Sequence, residues 1–178
     1  MAEFRELPGL PAYGPMPLQF SRTGQGTHRE GFVVEFLPDT DESWVGNFQL
    51  GLSSYSSVIA HPDCRSVVVV AGGEAYIVAP HAKKVEEIFG GTIEFAAFVS
   101  EIQALVFGNG LWFEILYLDG SRATTRRISW DGMTQIEIVG ERLRGEAYDP
   151  MTDSMASFEV NLVDATHTGG SYPRELAL

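Results

Sequence analysis

Turn-forming pairs recur so closely along this chain that only short strands fit between them. They are Pro38-Asp39, Pro62-Asp63, Gly72-Gly73, Gly108-Asn109-Gly110, Asp119-Gly120, Asp131-Gly132, Asp149-Pro150 and Gly169-Gly170. Glycine, asparagine and aspartate tolerate the positive φ of tight hairpin turns, and proline presets φ at a turn's first corner. The runs between them read as strands. Residues 67–71 are nearly all valine, as in a strand buried on both faces. Phe158-Glu159-Val160-Asn161-Leu162 alternates apolar and polar residues, as in a half-buried strand, and Gln135-Ile136-Glu137-Ile138 does the same. Residues 82–89 are ambiguous. They carry helix formers, apolar residues three and four apart, and Gly90 as a stop.

The hairpins also repeat, which favours a strand over 82–89. Residues 67–71 and 75–78 flank the Gly72-Gly73 turn, and residues 105–107 and 112–118 flank Gly108–Gly110. A third pair, 143–148 and 158–162, flanks a longer turn at 149–154. The three start at 67, 105 and 143, a spacing of 38 residues, and two further strands follow each of the first two, ending near Ser100 and Gly140. A period of this size with four strands per unit is the signature of propeller blades. The predicted fold is therefore all-β, with little helix. It is an antiparallel meander of about three propeller-blade-like units, arranged as a partial propeller or a twisted sandwich. Residues 1–30 form a Pro/Gly-rich lead whose Leu7, Leu10, Tyr13, Leu18 and Phe20 predict that it packs on a single β domain spanning 31–178.

Charge and cysteine content narrow the function classes. The net charge of −12 and a pI near 4.6 argue against a nucleic-acid binder, which needs lysine and arginine for phosphate. No apolar run is long enough to span a bilayer as a helix, so no membrane association is expected. Glu3, Glu6 and four early prolines stand where a signal peptide would have a basic start and an apolar stretch, so the expected location is cytoplasmic. The lone Cys64 makes no internal disulfide and no multi-cysteine metal cage.

Several stretches together resemble a group of uncharacterised bacterial all-β proteins with blade-like repeats. They are Trp44-Val45-Gly46-Asn47-Phe48, then His61-Pro62-Asp63 followed by the valine run and Gly72-Gly73. Arg126-Arg127-Ile128-Ser129-Trp130-Asp131-Gly132, Gly145-Glu146-Ala147-Tyr148-Asp149-Pro150 and Gly169-Gly170-Ser171-Tyr172-Pro173 complete the set. The strand-and-turn text is also similar to blades of quinoprotein-like and tryptophan-aspartate repeat propellers, without their full signature. The resemblance implies β architecture and carries no activity, because propellers host enzymes and scaffolds alike.

The densest polar-aromatic patch is Arg126-Arg127-Ile128-Ser129-Trp130-Asp131-Gly132. On a strand the two arginines face opposite ways, and one beside Trp112 or Trp130 has the fork to grip a carboxylate or phosphate. The competing reading makes Asp131-Gly132 a hairpin turn, buries Trp130 in the core, and pairs the arginines with glutamates across the sheet. With Arg122, Arg142 and Arg144, these arginines form a basic stripe if they share a face. His61-Pro62-Asp63-Cys64 combines a nucleophile with a base, but it reads better as a turn carrying a small thiol. His28, His61, His81 and His167 show no metal-ligand spacing, and no metal or cofactor is expected. Gly24-Gln25-Gly26 and Gly108-Asn109-Gly110 lack the strand-to-helix context of a phosphate loop, and Asp39-Thr40-Asp41-Glu42 lacks calcium-loop spacing.

Two functions compete. The first is a protein-interaction module, an inhibitor or immunity-type binding protein, with a protein partner or a homodimer. Small size, acidity, exposed aromatics and open sheet edges favour it over an enzyme. The alternative is a small-molecule-binding protein or hydrolytic enzyme with a pocket at the strand ends, near Trp44, Asn47, Tyr55 and Asp131. The candidate binding residues are Trp44, Asn47, Trp112, Arg126, Arg127, Trp130 and Asp131.

Overall fold

The computed structural model describes residues 3–24, 29–39 and 42–173. His28 lies outside them, and the 24–26 turn and the 39–42 acidic run lie partly outside. The protein is all-β, and its sequence divides into two compact units, residues 1–93 and 94–178. No helix among the described residues is long and apolar enough to cross a membrane.

The first unit holds two four-stranded sheets. One contains β1 (Glu3–Leu7), β2 (Leu18–Phe20), β3 (Phe32–Leu37) and β4 (Trp44–Phe48), in the order β1-β3-β4-β2 with β2 parallel to β4. The other is a simple meander of β5 (Ser57–Ala60), β6 (Val67–Ala71), β7 (Glu74–Ala79) and β8 (Lys84–Gly90). Val34, Phe36, Trp44 and Phe48 of the first sheet share one core with Val67, Val69, Tyr76 and Val78 of the second. The rings interlock. Phe36 stacks on Trp44 at 4.3 Å between centroids, Phe20 stacks on Phe48 at 5.1 Å, and Phe48 meets Tyr76 edge-on at 5.2 Å. Such pairs add roughly 0.5–1.5 kcal/mol each beyond the area they bury. The buried Tyr76 hydroxyl donates to the Gln49 carbonyl at 2.7 Å. Burial, with Glu74 helping and Arg22 opposing, pushes its pKa up to about 12, so it remains a neutral donor.

The second unit repeats the plan with two meanders. One comprises β9 (Phe95–Val99), β10 (Ala104–Gly108), β11 (Phe113–Tyr117) and β12 (Arg122–Thr124). The other comprises β13 (Met133–Val139), β14 (Arg142–Asp149), β15 (Ser154–Asn161) and β16 (Thr166–Gly169). Val106, Phe113, Ile115 and Ile128 pack with Leu143, Phe158, Val160 and Leu162. Tyr117 ties the sheets further, its hydroxyl donating to the Leu162 and Val163 carbonyls at 2.9 and 3.0 Å.

The hairpins that start at 67, 105 and 143 are the central pairs of three sheets. The grouping of outer strands differs from the sequence expectation, because each central hairpin takes the strand before it. β9 pairs with β10 from Val99↔Ala104 to Phe95↔Gly108, so the second strand after the β6–β7 hairpin belongs to the next sheet. A fourth sheet draws on the Pro/Gly-rich lead, which supplies β1 and β2. Residues 84–90 are a strand: β8 pairs with β7 from Ala79↔Lys84 to Glu74↔Gly90, behind a 3-10 turn over Pro80–Ala82.

Hairpin turns fix these registers. Gly73 sits at φ +85°, and a Cβ there would lie 2.6 Å from Ser53 Oγ and 2.9 Å from the Ile93 amide nitrogen. Gly120 has nearly the same φ, +84°, with nothing within 4 Å. Gly120→Ala is therefore expected to cost about 1–2 kcal/mol of left-handed strain. Gly73→Ala adds a backbone clash and is expected to cost about 3 kcal/mol or more. Urea unfolding of the two variants against the parent checks both, and equal losses would refute the role given to the Ser53–Ile93 contact.

Candidate functional site

The segment from Thr125 to Gly132 is irregular between β12 and β13, not the strand the sequence suggested. It is held by its backbone: the Thr125 amide donates to the Phe113 carbonyl at 2.9 Å and the Ile128 amide to Leu111 at 2.8 Å. Ile128 drops its side chain into the core. The fully buried Ser129 closes the next turn, its hydroxyl donating to the Gly132 carbonyl at 2.6 Å and accepting from the Asp131 amide at 3.2 Å. This leaves Arg127 and Trp130 half-buried and Arg126 and Asp131 exposed.

A distant segment completes the cluster. After β16 the backbone returns to this loop, where the Ser171 and Tyr172 amides both donate to the Ile128 carbonyl, at 2.9 and 3.0 Å. The Ser171 hydroxyl donates to the Tyr148 carbonyl at 2.6 Å and accepts from the Trp130 amide at 3.1 Å. Tyr172 is thereby set beside Trp130, with ring centroids 4.6 Å apart. The Arg127 guanidinium carbon lies 4.6 Å from the Tyr172 ring and 5.8 Å from the Trp130 ring, within cation–π range. Its Nε donates to the Ser129 carbonyl at 2.9 Å and its Nη2 to the Trp130 carbonyl at 2.8 Å.

The structure thus joins Arg127 with Trp130 and adds Tyr172, Ser171 and Ser129, which sequence reasoning does not single out. The available signal is the aromatic in Gly169-Gly170-Ser171-Tyr172. Trp112, 37% exposed, sits on the turn before β11, its amide donating to Asn109 Oδ1, and is not one of the rings on Arg127. Trp44 and Asn47 lie in the other unit in structural roles. The Trp44 indole donates to the Pro80 carbonyl at 2.9 Å. Asn47 accepts from the Gly31 amide and donates to Gln19 Oε1, both at 2.8 Å.

Carboxylates accompany three of the five arginines that would make a basic stripe on a shared face. Arg122 pairs with Glu114, while Arg142 and Arg144 share Glu159 at 3.8 and 2.7 Å. Arg126 and Arg127 have no carboxylate partner among the described residues. Beside the cluster, Tyr148 donates its hydroxyl to Asp153 Oδ1 at 3.0 Å, and that bond, aided by the charges of Asp153, Asp131 and Asp149, raises the phenol's pKa.

Recesses among the described residues lie elsewhere. One, of about 420 Å³, runs over the β13–β16 sheet between Gln135, Arg144, Glu146, Ser157, Glu159 and Thr168, beside the β-bulge that follows Thr134. Another, of about 550 Å³, opens at the ends of β6 and β7 and is lined by Asp63, Arg65, Ser66, His81 and Glu86. Neither is lined by Trp44, Asn47, Tyr55 or Asp131. Among the described residues no three His, Cys, Asp or Glu side chains are grouped to hold a metal ion. Cys64 is exposed at φ +58° on the 61–66 turn, whose organiser is Asp63. Burial opposes ionisation of Asp63. The Ser66 and Arg65 amides, the Ser66 hydroxyl and the His61 ring outweigh it and hold the carboxyl at about pKa 2.

No protein-family model matches this sequence, and no curated protein matches it. Among solved structures, 79% of this protein is similar to 40% of a polypeptide in a crystal structure of the eukaryotic initiation factor, with 12% identity and a TM-score of 0.47. The match spans well under half the length of that structure.

Because folding lowers the Asp63 pKa, its carboxylate contributes stability that is complete above about pH 4 and is lost as pH falls towards 2. Asp63→Asn is expected to cost about 1–2 kcal/mol at neutral pH. The gap between variant and parent in urea unfolding should close between about pH 4 and 2. A pH-independent gap would contradict the assignment.

Proposed function

We propose that the protein is a protein-interaction module, an inhibitor or immunity-type binding protein, whose contact centres on Arg127, Trp130 and Tyr172. One observation carries the reading. A half-buried arginine packs against the Tyr172 ring and beside that of Trp130, both half-buried, in a loop fixed by backbone hydrogen bonds and without a carboxylate partner among the described residues. Tryptophan, tyrosine and arginine are the residue types that dominate binding energy at protein interfaces, and they do so from rigid, partly desolvated positions. The acidic surface favours a partner that is basic overall, through long-range steering.

A second reading is favoured by the recess at the ends of β6 and β7. Its size and polar lining suit a small ligand, and a thermal-shift screen of metabolites is its test.

The primary test is capture of the tagged protein from its host lysate at low and moderate salt, beside Arg127→Met and Trp130→Ala. A stoichiometric partner should co-purify with the parent and bind each variant about 30-fold or more weakly, as expected for a central contact. Circular dichroism melts confirm that the variants are folded. A partner-free capture, or one indifferent to both substitutions, would overturn the reading.

A further inference from the structure

The Arg127 guanidinium has two edges able to grip a planar oxyanion with two parallel N–H groups. The edge formed by Nε and Nη2 is already used, by the Ser129 and Trp130 carbonyls at 2.9 and 2.8 Å. The other edge, formed by Nη1 and the second Nη2 proton, meets no acceptor among the described residues. The two carbonyls fix the orientation of the group, and the paired rings of Tyr172 and Trp130 pack beside it, so the open edge points in one direction.

Comparison with the other arginines sets this one apart. Arg5, Arg22, Arg122, Arg142 and Arg144 each have a carboxylate. Arg29, Arg65 and Arg126 have none among the described residues and are exposed, where water serves. Arg127 alone among the described arginines is half-buried with an open edge. Partial burial lowers the local dielectric, which strengthens any ion pair formed there and makes a bare cation costlier.

Resting on the interaction reading, we infer that this open edge receives a single carboxylate of the partner, an Asp or Glu side chain or a terminal carboxylate, set in neutral or basic surroundings. A net charge of −12 opposes a strongly acidic segment or a doubly charged phosphate at long range. One carboxylate feels that repulsion least and recovers it in a two-pronged contact at close range. The neighbouring rings leave apolar surface for the residues that flank it.

The test uses the full-length protein with 15N labels and two blocked peptides, Leu-Glu-Leu and Leu-Gln-Leu, titrated at low salt with inorganic phosphate as a third probe. The Glu peptide should shift the Arg127 Nε and Trp130 indole resonances saturably and bind at least about fivefold more tightly than the Gln peptide. Arg127→Lys, which keeps the charge and loses the fork, should erase most of that preference. Equal binding of the two peptides to the parent, absence of saturable shifts, or saturation by phosphate at lower concentration than the Glu peptide would each overturn the inference. If a lysate partner depends on Arg127 yet the peptides do not discriminate, the carboxylate falls and the interaction reading stands. Discrimination by the peptides without an Arg127-dependent partner removes the interaction reading instead.

Discussion

Every residue of β6 is buried, as are the first five of β7, so the backbone groups of that hairpin have no water to turn to. Each N–H and carbonyl must then be met by a neighbouring strand, because an unpaired buried polar group costs about as much as a typical hydrogen bond contributes. That requirement produces the four-stranded sheet. β5 closes one side of the hairpin and β8 the other, and these outer strands are the ones that reach solvent. The same logic places β9 and β12 around the buried β10–β11 pair. In the first sheet it recruits β1 and the three-residue β2 from a lead with little strand propensity of its own. The parallel pairing of β2 with β4 marks that recruitment, since a connected hairpin would be antiparallel.

Local arrangement, not net charge, decides the electrostatics at each point. Asp63 stays ionised despite burial because two amides, a hydroxyl and an imidazole converge on it within one turn. Glu159 lies against both arginines of β14 and offsets one of their two charges, so that face is less basic than its arginines alone would make it. Such exposed pairs add little stability, but they remove free cations from the surface. Arg127 escapes this neutralisation because its loop points it at rings and carbonyls instead.

The fold class is legible because glycine and aspartate turns mark hairpins directly, and the β-branched valine run at 67–70, bounded by turns, favours a buried strand. The strand at 84–90 is legible only through the repeat. Its own spacing fits a helix, and pairing with β7 overrides it. Trp44 and Asn47 read as binding residues because aromatic and amide side chains near turns often bind ligands. Here they satisfy Pro80, Gly31 and Gln19 inside the fold, a role that no local pattern distinguishes. The Arg127–Trp130 contact can be read from adjacency, whereas Tyr172 cannot, since it arrives from beyond β16.

That long-range origin also gives the cluster its stiffness. The bonds that place Tyr172 run from its own amide and from that of Ser171 to one carbonyl, Ile128, whose side chain is locked in the core. Ser171 then joins Trp130 to Tyr148 through a single hydroxyl. Backbone contacts therefore orient the rings, and the rings and two carbonyls orient the guanidinium. A partner docking here would find side chains already fixed, so little of the roughly 0.5–1.5 kcal/mol that ordering a flexible side chain costs would be subtracted from binding. An arginine on a free loop would have the same chemistry and lose much of it to entropy. Anchorage to a core residue is what would suit this one to the centre of the proposed contact.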